Sequence, residues 1–321
     1  MASLWPLMFD PLVVAIGIGL VGATIAGPVV ARGLGLLSPG SRRTAEWTLI
    51  VGAVVVALFA EPLLRSPVGG AFVYVLAALP GLVAFLAFRT LLATLLVSLA
   101  PLYFVIANLT QDWPTYVPEI ALDRIIPLQP AWMLVYGSLY VFVILLPLLV
   151  VRQHDLLRRA MQAYLMVMGV AYAGFLMYPT AAPRPSVVPG DGFAAWTLQM
   201  AYAIDPPYGC FPSLHVAYAF VSAFTCARVH RGVGIAALLW AGLIGFSTLY
   251  TKQHYIVDVV AGALLAYAAH VWFLRGYPRE AVPEADRRLA PNRALGAVAF
   301  FAFIALAFRV VYATSQAVPP G

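Results

Sequence analysis

The chain is a series of long apolar runs separated by short polar breaks. A helix that crosses a bilayer needs about 20 mostly apolar residues. Ten runs come close to or exceed that length, at residues 10–31, 47–64, 68–88, 90–110, 130–151, 159–178, 211–229, 232–250, 254–274 and 294–314. Several breaks are no more than a turn signal, such as Ser66-Pro67 or the basic patch at 228–234. The first run has no basic start and no clear small-residue cleavage site, so it reads as a span and not as a cleaved leader. Two polar stretches are longer, 111–129 and 179–210, and both are rich in Pro, Asp and Gly. Neither reads as an independent domain. A third, 275–293, is highly charged and reads as a loop. The chain shows no internal repeat. The predicted fold class is all-α: a polytopic membrane protein of about ten transmembrane helices.

Composition agrees with the pattern. Of 321 residues, 63% are hydrophobic and 10% are charged, and the mean hydropathy is +0.90. Soluble domains are about half apolar and about a quarter charged. A water-soluble enzyme, a disordered chain and a nucleic-acid binder are thereby excluded. Two cysteines, Cys210 and Cys226, make neither a disulfide framework nor a zinc pattern.

Charge sets the orientation. With the N-terminus outside and ten alternating spans, the inner breaks hold Arg32, Arg42, Arg43, Arg89, Arg152, Arg158, Arg159, Arg228, Arg231, Arg275, Arg279, Arg287, Arg288 and Arg293. The outer side keeps Arg65, Arg124, Arg184, Lys252 and Arg309. Basic residues favour the cytoplasmic side, so both termini and both long polar stretches are expected outside.

Ionisable residues at membrane level are costly and mark function. Three separate segments bring such residues to the outer edge. Arg184 lies in Pro183-Arg184-Pro185, after the sixth run. Ser213 and His215 lie in Phe211-Pro212-Ser213-Leu214-His215, which opens the seventh. Lys252, His254 and Asp258 lie in Lys252-Gln253-His254-Tyr255-Ile256-Val257-Asp258, which opens the ninth. On a helix His254 and Asp258 share a face as an i, i+4 pair. A carboxylate on one ring nitrogen fixes the tautomer and leaves the other nitrogen a better nucleophile. His215 would protonate a leaving oxygen. Arg184 has the planar fork that suits a phosphate. Pro212 suits a first helical turn, where free N–H groups attract an anion, and Lys252 would add a point charge.

The same residues have plainer readings. A His–Asp pair also pins helix ends, a serine also caps a helix, and an interfacial lysine also snorkels. Arg184 alone would anchor a headgroup. His215, His254 and Asp258 would also make a metal set, which the neighbouring Arg184 and Lys252 argue against. Asp112, Glu119, Asp123 and Arg124 would meet a polar acceptor or simply be solvated.

Pro212-Ser213-Leu214-His215 and His254-x-x-x-Asp258, with Arg184-Pro185 upstream, resemble the three motifs of the type 2 phosphatidic acid phosphatase superfamily. Phe211-Pro212-Ser213-Leu214-His215 and Tyr250-Thr251-Lys252-Gln253-His254-Tyr255-Ile256-Val257-Asp258 are more similar to its inositol phosphorylceramide synthase branch and its bacterial relatives. The resemblance covers residues 90–274 and implies a six-helix catalytic core there. Residues 1–89 would be additional helices, and 275–321 a cytosolic loop and a final helix. It also implies His254 as nucleophile, Asp258 as its orienting partner, His215 as general acid and then base, and Arg184 and Ser213 on the phosphoryl oxygens. Two family cations are missing. Met177 stands where the first motif has Lys, and Ser247-Thr248 where the third has Ser-Arg; the synthase branch also lacks that Arg. Lys252 is the candidate replacement. No metal and no cofactor is implied. The implied partners are a lipid phosphate donor, a hydroxyl acceptor or water, and membrane lipids. The expected activity is phosphotransfer through a phosphohistidine, with lipid phosphatase and non-catalytic lipid transporter as alternatives. The expected location is a bacterial inner membrane, with the site facing outward or to a lumen.

Overall fold

The computed structural model describes residues 102–317, with Leu96, Leu99 and Ala100 just before them. The expected spans at 10–31, 47–64 and 68–88, most of the one at 90–110, and Arg32, Arg42, Arg43, Arg65 and Arg89 lie outside the described residues.

All regular elements among the described residues are helical. In chain order they are α1 (Leu102–Thr110), the short α2 (Ala121–Ile125), α3 (Pro130–Val150), α4 (His154–Met177), α5 (Phe193–Ile204), α6 (Leu214–Val229), α7 (Arg231–Tyr250), α8 (Ile256–Leu274) and α9 (Glu284–Ala317). Helices α3, α4, α7, α8 and α9 are long and apolar enough to cross a membrane, and α6 is a shorter apolar helix. This is an integral membrane protein.

Three boundaries differ from the hydropathy pattern. Helix α4 begins at His154, so Arg158 and Arg159 lie inside it. The segment 193–204, within the second long polar stretch, is a helix too short to register as a span. The final helix runs through most of the expected charged loop. Glu284 and Asp286 sit in its first turn, where carboxylates suit the helix dipole. Hydropathy reports solvent preference, not helix propensity, so it misses a charged helical start.

Packing centres on α6. Its small residues Ala217, Ala219, Ala223 and Cys226 are buried, as expected where membrane helices approach closely. Helices α6 and α7 form a hairpin with a one-residue turn at His230, whose Nδ1 accepts the Val233 N–H at 3.2 Å. A Cβ on Gly234 would lie 2.4 Å from Ala227, so this hairpin requires glycine. In α3, Pro147 lacks the N–H that would bind the carbonyl of Val143. That carbonyl accepts the Tyr164 hydroxyl at 3.0 Å, and the neighbouring Phe142 carbonyl accepts the Ser222 hydroxyl at 2.8 Å. In lipid such carbonyls need internal partners.

The basic residues are sorted between the two ends. At one end Arg159 donates to the Phe273 carbonyl at 3.2 Å, Arg228 bonds the Tyr277 carbonyl, and Arg279 donates to the Ala227 carbonyl at 3.2 Å. Arg293 pairs with Asp286 at 2.8 Å, and Asp286 accepts from Gln153 at 2.8 Å. The other end carries Arg124 in α2 and Arg184 and Lys252 on loops. Arg309 joins them there, 5.1 Å over the Phe193 ring.

Candidate active site

The two long polar stretches are stitched together. The Tyr116 N–H donates to the Pro179 carbonyl at 2.7 Å, and the Tyr116 and Tyr178 rings stack at 4.3 Å. Thr180 is fully buried, and its hydroxyl accepts the N–H groups of Cys210 and Phe211, both at 3.0 Å. The 111–129 stretch is pinned to α7 and α8. The Gln129 N–H donates to the Tyr250 carbonyl at 2.9 Å. Buried Asp123 accepts the Ile256 N–H at 2.9 Å through one oxygen and the Ile120 N–H at 2.8 Å through the other. A carboxylate on the opening N–H of α8 satisfies a donor the helix cannot.

Two glycines seat the Pro212-Ser213 segment. A Cβ on Gly174 would lie 2.8 Å from Pro212 Cδ, and one on Gly262 would lie 2.5 Å from the Ser213 carbonyl oxygen. The Ser213 N–H donates to the Asp258 carbonyl at 3.1 Å. Ser213 itself is the N-cap of α6. Pro212 therefore precedes the helix and is not in its first turn. The Ser213 hydroxyl, with no exposed surface, accepts the Val216 N–H at 3.3 Å. The capping role of this serine is thus filled.

His254 also lies outside the helix expected to carry it. It belongs to the turn between α7 and α8, and Tyr255 is the N-cap. The turn is tight because the Thr248 carbonyl accepts the Gln253 N–H at 2.9 Å and the His254 N–H at 3.3 Å. Asp258 still meets the ring, with Oδ2 3.4 Å from His254 Nδ1, while the same oxygen accepts the Tyr255 N–H at 2.9 Å. On the other side, His254 Nε2 lies 3.1 Å from His215 Nδ1. His215 Nε2 lies 3.2 Å from the Tyr136 hydroxyl. Asp258, His254, His215 and Tyr136 form one line of side chains. The three candidate metal ligands do not converge on a point, since the histidines face each other and Asp258 lies behind His254.

Arg184 is brought close but is fully engaged. Its Nε donates to Gln253 Oε1 at 3.0 Å, and its Nη2 bonds the same oxygen. Nη2 pairs with Asp205 at 3.2 Å, between side chains 9% and 12% exposed. Nη1 donates to the Asp205 carbonyl at 2.7 Å, and the guanidinium lies 4.7 Å over the Tyr202 ring. Tyr202 in turn donates to the Thr251 carbonyl at 2.5 Å. Two buried polar atoms have no protein partner here, Gln253 Nε2 and Asp258 Oδ1. Burial pushes the Cys210 thiol well above its ordinary range, so it stays protonated and is no nucleophile.

Lys252 takes a left-handed backbone, with φ of 55°. Its amine donates to the Ile126 carbonyl at 2.6 Å and the Asp123 carbonyl at 3.4 Å. It lines a cavity of about 340 Å³ with His254, Tyr255, Leu249, Pro183 and, from the 111–129 stretch, Glu119, Asp123, Ile126 and Arg124. Glu119 and Arg124 pair at 3.2 Å, and Arg124 is 74% exposed. Met177 is 82% exposed, and Ser247 and Thr248 are buried, so neither position contributes a cation.

The family model for the PAP2 superfamily matches residues 102–272, just over half of the chain. The chain belongs to the PAP2 superfamily. The PAP2 match takes in every residue of the line and of the Arg184 cluster. A PA-phosphatase related-family protein of Dictyostelium discoideum is 28% identical over 97 residues, which cover 27% of this chain and 18% of that protein. The chain thus spans less than a fifth of that relative's length. No solved structure matches it.

Sequence reasoning missed four residues that build this PAP2 site. Tyr136 lies far from any motif, and nothing in its surroundings signals it. Asp205 stands before two prolines, and Thr180 precedes Arg184 by four residues; both are ordinary loop signals. Gly262 follows Asp258 by four residues, and a helix-interior glycine is itself a hint of close approach.

Proposed function

We propose that this protein transfers a phosphoryl group or phospho-headgroup from a lipid donor to a hydroxyl acceptor through a phosphohistidine at His254. The observation that carries this reading is the Asp258–His254–His215 line, with His254 5% exposed on the wall of the cavity. Asp258 accepts the Nδ1 proton of His254 and leaves a lone pair on Nε2. His215 is positioned as the proton donor to the leaving oxygen and then as the base for the acceptor. The substrate phosphate enters between the two histidines. Lys252 supplies the cation on the cavity side. Arg184 and Ser213 are the remaining phosphate-side residues, and a dianionic phosphate competes with Asp205 for the Arg184 fork. The residues assigned to phosphate are cations and a hydroxyl, so the mechanism needs no metal.

A hydroxyl acceptor is supported by the polar lining of the cavity, where Glu119, Arg124 and Lys252 suit a hydroxylic headgroup, and by the synthase-like third motif. Water as acceptor, which would make the protein a lipid phosphatase, is favoured by the name of the Dictyostelium relative. The sorting of ten described arginines to the end opposite the site supports a site on the non-cytoplasmic face, in a bacterial inner membrane. The reading includes ten spans, with a six-helix core at 90–274, further helices in 1–89, and a cytosolic stretch and final helix in 275–321.

A phosphorus balance with chelator present tests it. Wild type and His254→Ala are incubated with phospholipids and polyprenyl phosphates, with and without added alcohols. Donor loss should depend on His254, and a new phosphoester should appear only with an alcohol. Free phosphate in place of the new ester converts the transferase to a phosphatase. Full turnover by His254→Ala rules out both.

A further inference from the structure

The outermost member of the line, Tyr136, has no place in the mechanism so far. We propose that Tyr136 is the positioning residue that partners Nε2 of His215 in each of its protonation states and so leaves Nδ1, the nitrogen facing His254, to carry the proton transfer. This rests on the reading of His215 as proton donor to the leaving oxygen.

Asp258 is an acceptor, so neutral His254 carries its proton on Nδ1 and offers a lone pair at Nε2. A lone pair 3.1 Å from His215 Nδ1 requires a proton on that Nδ1. The second nitrogen of His215, Nε2, then faces the Tyr136 hydroxyl at 3.2 Å. A hydroxyl both donates and accepts. It can therefore satisfy Nε2 bare, when His215 is neutral and protonated at Nδ1. It can equally satisfy Nε2–H, when His215 is cationic or has just given up its Nδ1 proton. No purely accepting or purely donating side chain would follow His215 through these states. A phenylalanine would leave a buried nitrogen without a partner in all of them.

The phenol is also held in place. Tyr136 is 1% exposed. Four residues before it, Trp132 stacks on Tyr250 at 5.0 Å with the rings 6° apart. Two residues after it, the Ser138 hydroxyl accepts the Trp240 indole N–H at 2.9 Å. Both contacts fasten this part of α3 to α7, so the hydroxyl meets Nε2 at a fixed point.

The proton balance closes over the two half-reactions. The anionic phosphate favours proton uptake by His215 as it binds, and His215 enters the step as imidazolium, with Nε2–H held by Tyr136. The His254 Nε2 lone pair attacks phosphorus, the bond from phosphorus to the leaving oxygen breaks, and that oxygen takes the Nδ1 proton of His215. His215 is left neutral with its remaining proton still on Nε2. The acceptor hydroxyl then gives its proton to the bare Nδ1 as its oxygen attacks phosphorus and the N–P bond breaks. Tyr136 loses no proton at any point. It turns from donor to acceptor as Nε2 requires, so that Nε2 is partnered throughout and the transfer stays on Nδ1.

Tyr136→Phe tests this with two donors, a phosphate monoester of a lipid alcohol and an aryl monoester such as nitrophenyl phosphate. An alkoxide must be protonated as it leaves, and a nitrophenolate needs little help. The expected result is a fall in kcat of about 10- to 100-fold on the lipid ester, with KM moved far less. The loss on the aryl ester should be at least about tenfold smaller. The double variant His215→Ala/Tyr136→Phe should be no slower than His215→Ala, because the phenol acts only through that imidazole. Equal losses on both esters, or additive losses in the double variant, mean that Tyr136 is a packing residue and overturn the inference alone. A wild type that turns over neither ester and takes up no alkali-stable phosphate label on His254 overturns the phosphohistidine reading and the inference together.

Discussion

Arg184 bonds the side chain of Gln253, the residue before His254, and the surroundings of these two site residues are completed to different degrees. Around Arg184, Gln253, Asp205, Tyr202 and loop carbonyls take up the guanidinium. The histidine line is looser. Its bond from Asp258 is long at 3.4 Å, and Asp258 Oδ1 has no protein partner. A closed buried ion pair contributes geometry more than energy, because desolvation offsets much of its attraction. A line with spare hydrogen-bonding capacity at its centre is where a ligand with its own charge has something to gain. One half of the site is already held by the protein's own groups, and the other half keeps bonding capacity in reserve.

The largest way to sharpen this contrast is Asp258→Asn. An amide can present a donor to His254 Nδ1 and favour the wrong tautomer. By analogy with other carboxylate–histidine pairs, kcat should fall on the order of 10³-fold or more, with the protein still folded. Rapid-quench labelling of His254 reads the step directly; labelling at the wild-type rate would remove Asp258 from the chemistry.

Next in size is Arg184→Ala. Its loss leaves Asp205 without its cation in a nearly buried site, with only the Tyr103 hydroxyl still donating to the carboxylate at 2.8 Å, and costs about 3 kcal/mol of stability. Thermal unfolding in detergent should show the drop, and adding Asp205→Asn should recover part of it. An unchanged unfolding midpoint with KM raised by tens of fold would reverse the comparison and make Arg184 a substrate ligand first.

The smallest effect is expected at Lys252→Gly. Glycine relieves a left-handed backbone that costs another residue about 1–2 kcal/mol, while the amine and its two loop contacts are lost. Stability should change by less than about 1 kcal/mol, and KM for the donor should rise several-fold. If KM stays unchanged, the amine serves the 111–129 stretch alone.

Much of the frame was legible in the chain. The runs at 130–151 and 232–250 locate α3 and α7 to within a residue, because a bilayer imposes a length that composition can report. The three motifs bring His215, His254, Asp258 and Arg184 to one neighbourhood, as their order along alternating spans requires. What could not be read depends on close packing. That Ser213 caps α6, that His254 sits in a turn, and that Asp205 takes up Arg184 are facts of a few tenths of a nanometre between segments distant in sequence. Helix α5 and the charged start of α9 escaped because a hydropathy window is blind to short or polar helices.

Gly262 carries a consequence for motion. With no side chain there, the carbonyl of Ser213 rests against α8, and the Ser213 N–H is tied to the carbonyl of Asp258. The segment that opens the helix of His215 and the helix that carries the partner of His254 are coupled like meshed gear teeth. These two contacts resist sliding of α6 along α8, which is the motion that would separate His215 from the partner of His254. For the proposed reaction, a phosphate would then be admitted by rotation of the two imidazoles, with the helices on either side held as one chassis.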